Sequence, residues 1–405
     1  MCARTPTGAR PNHEYAGCPV TSVPPVPSVL KSFAGAWSRF GSVAIALACN
    51  TATSGQATVD QLPRDGATYW PAATEWRHAA PGQVGLDATR LAALVQALRT
   101  NSIPGLHSLI VVRHGYVAVE EYFNGSSVTQ VHTMQSVTKS VTSLVAGIAV
   151  GEGKLTTSAR IFDILPQYDS LIRGDERKRA VTIGHLLQMR SGINFHESPY
   201  TGSPLQRLNE SQGDWVAIAL GEPMNAAPGE LWQYNGGGVI ATAAAVQSVT
   251  GVQFATYARQ KLFQPIGITT ETWIRSPYDG LPHTGGGLNL RAIDLARIGY
   301  LMLRRGKWNE TQVVPESWII ESTRVHTARP RTSAGYGTDY GYLWWLMPIG
   351  TGSAADVMIT GSGAMNQWLF VVPSLDLVVA VTGGSNQASP PDFMIREIIP
   401  SVTRD

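Results

Sequence analysis

The β-type pattern of this chain is confined to its two ends, and that separation limits the fold more than any other feature. Ser108–Arg113 and Tyr116–Phe123 are β-rich runs on either side of His114-Gly115, which is a hairpin signal. Far along the chain, Val357–Ile359, Trp368–Val372 and Leu377–Val381 alternate like strands, with a turn at Pro373-Ser374. Between them the pattern is mostly helical. Asp87 opens a helix on Leu91, Leu94, Val95 and Leu98, spaced i, i+3, i+4, i+7. A long helix starts near Ser136, with Val141, Leu144, Val145 and Ile148 on one face, and stops at Gly151 or Gly153. Thr182 caps a helix expected to end at Gly192, Gly237–Thr250 is an Ala-rich helix, and Phe393–Ile399 reads as a closing helix after Pro390-Pro391. The two ends are therefore expected to share one sheet. The predicted class is α+β: an antiparallel sheet flanked by helices over residues 70–405, with an all-helical subdomain inserted at about residues 156–280.

Charge and cysteine placement set the front of the chain apart. Residues 1–48 hold Arg4, Arg10, Lys31 and Arg39 against Glu14 alone, while the rest carries 27 basic and 28 acidic groups. So neutral a body has no basic footprint for nucleic acid. No apolar run reaches the ~18 residues of a membrane-spanning helix. Cys2, Cys18 and Cys49 all lie in the first 49 residues, so the body can hold no disulfide framework or zinc knuckle. Lys31 and Arg39, then the apolar run Val43–Ala48 ending in Ala46-x-Ala48, follow the pattern of an export signal. Cys49 directly after it resembles a lipoprotein modification site. Residues 1–48 are thus expected to be an export signal with an upstream extension, and 49–69 a polar tether. The product would be a lipoprotein anchored at Cys49, or a periplasmic or secreted protein. A disordered tail on a cytoplasmic protein is the bland alternative.

Ser136-Val137-Thr138-Lys139 offers a nucleophile. Ser and Lys one turn apart share a helix face, so the amine can reach the hydroxyl. Serine is a weak nucleophile at its free pKa and needs a base that close. The motif alone is weak, because Ser28-Val29-Leu30-Lys31 matches it inside the leader. A capping serine with a solvated lysine would look the same. Two other stretches add weight. Tyr234, in a loop before a helix rich in small residues, could relay a proton to a leaving group. Ile359-Thr360-Gly361-Ser362-Gly363 ends an apolar strand in small residues, which lets backbone N–H groups approach a substrate carbonyl. A core tyrosine and a plain strand-end turn are the ordinary readings of each. Gly236–Ala241 matches GxGxxA, but no strand precedes it and Arg259 stands where a ribose-binding acid would be, so no dinucleotide is expected. The nine His form no HxxxH pair, and neither metal nor cofactor is expected. The G-x-S-x-G elbow of α/β-hydrolases is missing.

Taken in order, these motifs resemble the serine β-lactamase and penicillin-binding-protein superfamily, on its class C side. The resemblance runs from about Trp70 to the C-terminus. It rests on Pro81–Leu86, Ser108–Phe123, Met134–Lys139, Val181–Ile193, and Gly285–Trp318 with Tyr340–Trp345. The chain looks most like esterases of β-lactamase fold and 6-aminohexanoate-dimer hydrolases. The resemblance implies Ser136 as acylated nucleophile, Lys139 as its base partner and Tyr234 as the second acid/base. It implies an oxyanion hole from the backbone N–H groups of Ser136 and Ser362, with Asn235, Ile359, Thr360 and Gly361 against the substrate. Two departures matter. The family's Tyr-x-Asn is Tyr234-Asn235-Gly236 here, which displaces or removes the substrate-contacting amide. Its Lys-Thr-Gly is Ile359-Thr360-Gly361, which loses the cation that receives a β-lactam carboxylate. Both favour neutral esters or amides over penicillins. The expected activity is that of an exported serine hydrolase cleaving small carboxylic esters. An amidase on short linear amides or D-amino-acid peptides comes second, then a β-lactamase; a non-catalytic binder of cell-wall peptide is the reading from another class.

Intact mass of the membrane and soluble fractions checks the leader. The mature chain is expected to begin at Cys49 with a lipid attached, and a chain retaining residues 31–48 would overturn the signal.

Overall fold

Leu106, Leu109 and Val111 point into one apolar cluster, while Ile110 and Val112 from the same strand point into another. A strand buried on both faces must sit inside a layered structure, with helices covering each side. The computed structural model describes residues 69–72, 75–100, 105–328, 338–350 and 356–403, all within the unit Ala57–Asp405. The expected leader, Ser28 and Lys31, and Cys49 with the tether as far as residue 68 lie outside the described residues.

The strands are β1 (Leu106–Arg113), β2 (Tyr116–Tyr122), β3 (Val131–Thr133), β4 (Thr272–Trp273), β5 (Leu288–Arg291), β6 (Lys307–Trp308), β7 (Thr311–Gln312), β8 (Asp339–Tyr340), β9 (Trp345–Ile349), β10 (Asp356–Gly363), β11 (Gln367–Val372) and β12 (Leu377–Gly383). The α-helices are α1 (Ala88–Thr100), α2 (Val137–Gly151), α3 (Ile161–Ile164), α4 (Ile183–Leu187), α5 (Pro204–Glu210), α6 (Trp215–Gly221), α7 (Gly236–Thr250), α8 (Phe254–Ala258), α9 (Ala292–Leu303), α10 (Glu316–Ser322) and α11 (Pro390–Phe393).

The main sheet runs β2-β1-β12-β11-β10-β9-β8. The hairpin that opens the domain therefore pairs with the strand that closes it, antiparallel, with Leu109 opposite Val381 and Arg113 opposite Leu377. The expected sharing of one sheet by the two ends is what forms, and the class is mixed helix and antiparallel sheet. The hairpin turn is set by His114 (φ 52°) and Gly115 (φ 85°), whose left-handed backbone matches the twist of the flanking strands. On β12, Leu377, Val379 and Val381 join the cluster with α1, while Val378 and Ala380 face α9.

Helix α2 lies under the other face. Its sequence suggests one apolar face, but every residue from Val137 to Ala149 is buried, because α7, α10 and β10 all pack on it. A helix enclosed on every face belongs in a core, and Thr138, Lys139, Ser140, Thr142 and Ser143 are buried along with its apolar residues. Trp318 of α10 comes so close that a Cβ on Gly147 would stand 2.1 Å from its ring.

Two elements differ from the sequence reading. The helix capped by Thr182 ends at Leu187, short of Gly192, because Met189 turns left-handed (φ 59°) and the chain leaves the helix. The freed segment hydrogen-bonds to a later loop: Gln233 N donates to Met189 O, Gly229 N to Arg190 O and Asn225 N to Gly192 O. The closing helix is broken into the turn of α11, a wider turn over Met394–Ile398 and a tighter one over Ile399–Ser401. A small sheet, β3-β5-β4, was not legible, since its strands are only two to four residues long.

Gly147→Ala would normally gain helix stability by about 1 kcal/mol. Here the added methyl meets an indole that cannot retreat, so it should destabilise by about 1–3 kcal/mol instead. Chemical denaturation of the two proteins checks the sign.

Candidate active site

Ser136 sits where the chain swings from β3 into α2. Gln135 adopts a left-handed conformation (φ 48°), and the first turn closes through Val137 N to Met134 O, Thr138 N to Gln135 O and Lys139 N to Ser136 O. Met134 N donates to Leu288 O and Leu288 N to Thr138 Oγ1, which ties this turn to β5. Ser136 makes no capping hydrogen bond with its side chain. Its hydroxyl instead accepts from Lys139 Nζ at 3.0 Å. Lys139 is 2% exposed, so the pair is neither a cap nor a solvated lysine.

The lysine is enclosed among the described residues. Its Nζ also donates to Gly285 O at 2.7 Å, forms an ion pair with Glu197 Oε1 at 3.4 Å, and lies 4.5 Å from the centre of the Tyr234 ring. Burial works against the ammonium, but the Glu197 charge and Tyr234 outweigh it and hold Lys139 above the ordinary amine range. Burial, then Glu197, pushes the Tyr234 phenol up, against the opposing pull of Lys139 and a hydrogen bond with Ser136. The resting site therefore holds an ammonium and a neutral phenol.

Tyr234 owes its place to the shortened α4. The Met189–Gly192 segment pins the loop 225–233 by the three backbone bonds above, and Tyr234 follows directly. Its ring stacks on Trp345 (5.9 Å, 21°), with Trp232 at 6.1 Å and the buried Tyr340 behind them both. Trp232 and Trp345 are half-buried and make an aromatic wall beside the phenol.

The end of β10 runs along the other side. A Cβ on Gly363 would stand 2.5 Å from Met134 O, and one on Gly361 would stand 3.2 Å from the Val137 side chain. Ser362 lies between these buried glycines and is half-buried itself. The register of β10 with β9 ends at Thr360 opposite Trp345, so residues 361–363 extend past that neighbour.

Ser136, Lys139 and Tyr234 thus meet in one place, with Gly361 and Ser362 alongside. Others among the expected residues are placed differently. Asn235 caps α7: its Oδ1 accepts from Gly238 N at 2.7 Å, and its Nδ2 lies 3.5 Å from Ser191 Oγ. Ile359 is 8% exposed within the core and Thr360 is fully buried, so neither side chain presents much surface. Four neighbours escaped the sequence reading of the site: Glu197, Gly236, His283 and the Gly285 carbonyl. Gly236 and the stretch beginning at Gly285 fall within motifs that the sequence shows; nothing local marks Glu197 or His283.

A family model described as Beta-lactamase matches residues 91–398. The chain is 24% identical over 314 residues to a 6-aminohexanoate-dimer hydrolase of Paenarthrobacter ureafaciens, covering 73% of this chain and 76% of that protein. It is 30% identical over 210 residues to esterase EstB of Burkholderia gladioli, covering 46% and 53%. Among solved structures it shares its fold with EstCE1, described as a hydrolase with promiscuous acyltransferase activity, at a TM-score of 0.63 and 17% identity, covering 78% of this chain and 99% of that one.

If Asn235 serves the helix, Asn235→Ala should destabilise by about 1 kcal/mol while Asn235→Asp, which still caps, should not. Thermal denaturation of both variants checks this, and an unchanged melting point for the alanine variant would remove the capping role.

Proposed function

Because this chain belongs to the beta-lactamase family, and is a serine hydrolase of that fold, we propose that it hydrolyses small neutral carboxylic esters through an acyl-enzyme on Ser136. The observation that carries the reading is the buried Lys139 ammonium, 3.0 Å from the Ser136 hydroxyl and packed on Tyr234.

The raised Lys139 and Tyr234 hold one proton more than attack allows. The attacking form has lost it, which leaves an amine or a phenolate beside Ser136. Ser136 Oγ then bonds to the ester carbonyl carbon and passes its proton to the Lys139–Tyr234 pair. The tetrahedral oxyanion is placed against the N–H groups of Ser136 and Ser362, a position supported by the close run of β10 along residues 134–137. The C–O bond to the leaving alcohol breaks and the pair returns the proton to the departing oxygen. Water repeats the sequence: it gives a proton to the pair, adds to the acyl carbon, and the acid leaves as Ser136 Oγ takes that proton back.

The ester preference rests on the surroundings. The family's Lys-Thr-Gly cation is replaced by Ile359, which turns into the core and supplies no charge for a substrate carboxylate. The half-buried Trp232 and Trp345 offer apolar area to an acyl or alcohol group. The relative named as an esterase supports the same reading. Cleavage of short linear amides is the second reading, and it rests on the relative named as a 6-aminohexanoate-dimer hydrolase. Export through residues 1–48, with a lipid on Cys49, is proposed on the signal-like pattern of the leader alone.

An assay panel of p-nitrophenyl butyrate beside a chromogenic cephalosporin tests substrate class, and a fluorophosphonate tests the nucleophile. The expected results are kcat/KM favouring the ester by orders of magnitude, label on Ser136, and loss of both label and turnover in Ser136→Ala. Preference for the cephalosporin would overturn the ester reading; turnover by Ser136→Ala would overturn the mechanism.

A further inference from the structure

Glu197 is a half-buried neighbour of Lys139 to which the steps above assign no role. It lies in the loop between α4 and α5, with its side chain 17% exposed and Oε1 3.4 Å from Lys139 Nζ. That oxygen has no hydrogen-bond partner among the described residues. Its seat is made by Gly236, the first residue of α7: a Cβ there would stand 2.6 Å from Glu197 Oε1 and 3.5 Å from Lys139 Nζ. Gly236 thus leaves a slot against the lysine that the carboxylate fills. The start of a helix of 15 residues also favours a negative charge at that point.

We propose that Glu197 is a positioning residue for acyl transfer: seated in the Gly236 slot, its carboxylate holds Lys139 as the ammonium and thereby sets the pH above which Ser136 can attack. This rests on the reading that Ser136 attacks and that Lys139 and Tyr234 move its proton.

The groups around the lysine fix the direction of the effect. Tyr234 faces it from the loop before α7, Ser136 from the start of its own helix, and His283 and the Gly285 carbonyl from the loop before β5. Burial and the Lys139 charge push His283 down to about 4, so it is neutral above that pH and adds no charge of its own. Tyr234 is neutral at rest. Glu197 is then the anion that opposes burial and keeps the proton on Lys139. The attacking form has one proton fewer than the resting form, and a nearby anion makes that proton harder to lose. Removing the anion must move the ascending limb of kcat/KM to lower pH. An opposite charge this close is worth about 1–3 pH units.

The test is the pH dependence of kcat/KM for p-nitrophenyl butyrate in the parent, Glu197→Gln and Gly236→Ala. The second variant keeps the charge but pushes the flexible end of Glu197 out of its slot, at little cost to the backbone. The ascending limb should move to lower pH by about one unit or more in Glu197→Gln, and in the same direction by less in Gly236→Ala. A merely structural glutamate would lower activity at every pH and leave the limb in place, and that result overturns the proposal. Should Glu197→Gln fail to fold, as read from its melting curve, Gly236→Ala decides: an unmoved limb overturns the proposal. Fluorophosphonate labelling of the parent keeps the two readings apart. An unlabelled Ser136 defeats the acyl-enzyme reading itself, whereas a labelled Ser136 with an unmoved limb defeats only the role of Glu197.

Discussion

A buried ammonium is costly unless its charge is answered, and the arrangement around Lys139 is the answer this fold provides. The residue is 2% exposed and its amine reaches a serine hydroxyl, a backbone carbonyl, a carboxylate and the face of a phenol. Each partner comes from a different part of the chain: Ser136 from the start of α2, Gly285 from the approach to β5, Glu197 from the loop after α4, Tyr234 from the loop before α7. Four segments far apart in sequence must therefore be in register before the lysine is satisfied. The same enclosure that makes the charge expensive also keeps its proton within reach of the serine.

The rest of the architecture serves that register. Helix α2 is held between the sheet and the helices α7 and α10, with no solvent-facing stripe along Val137–Ala149. The strand β10 approaches the nucleophile turn closely because Gly361 and Gly363 carry no side chain toward it. The loop with Tyr234 is braced by backbone bonds to residues 189–192, which the chain lays along it once α4 has ended at Leu187. A local loss of helix is thus what positions a proton-transfer group.

Legibility in the sequence follows how far a signal has to travel. The Ser136–Lys139 contact is readable because both residues ride one turn of one helix, and 3.6-residue spacing fixes their face whatever surrounds them. Tyr234 and the Ile359–Gly363 strand were readable only through the order of motifs along the chain, since nothing local brings them to Ser136. Asn235 shows the limit of that route: its position suggested substrate, while its side chain closes the first turn of α7. Glu197 left no trace, because an acid in a loop acquires meaning only from the lysine that folding sets 3.4 Å away. The strands of the β3-β5-β4 sheet were invisible for another reason: two to four residues cannot carry a period.

The amino-acid sequence by itself determined the placing of the longer main-sheet strands at the two ends, the amphipathic helices between them, and the presence of a serine and a lysine on one helical face. Those features depend on periodicity and on steric preferences that act within a few residues. The tertiary structure decided the rest: that α2 is buried on all sides, that α4 ends at Leu187, that Ile359 turns into the core, and that a carboxylate, a carbonyl and a phenol converge on one amine. Convergence of that kind is a long-range balance of charge against burial, and no stretch of chain contains enough of its own surroundings to express it.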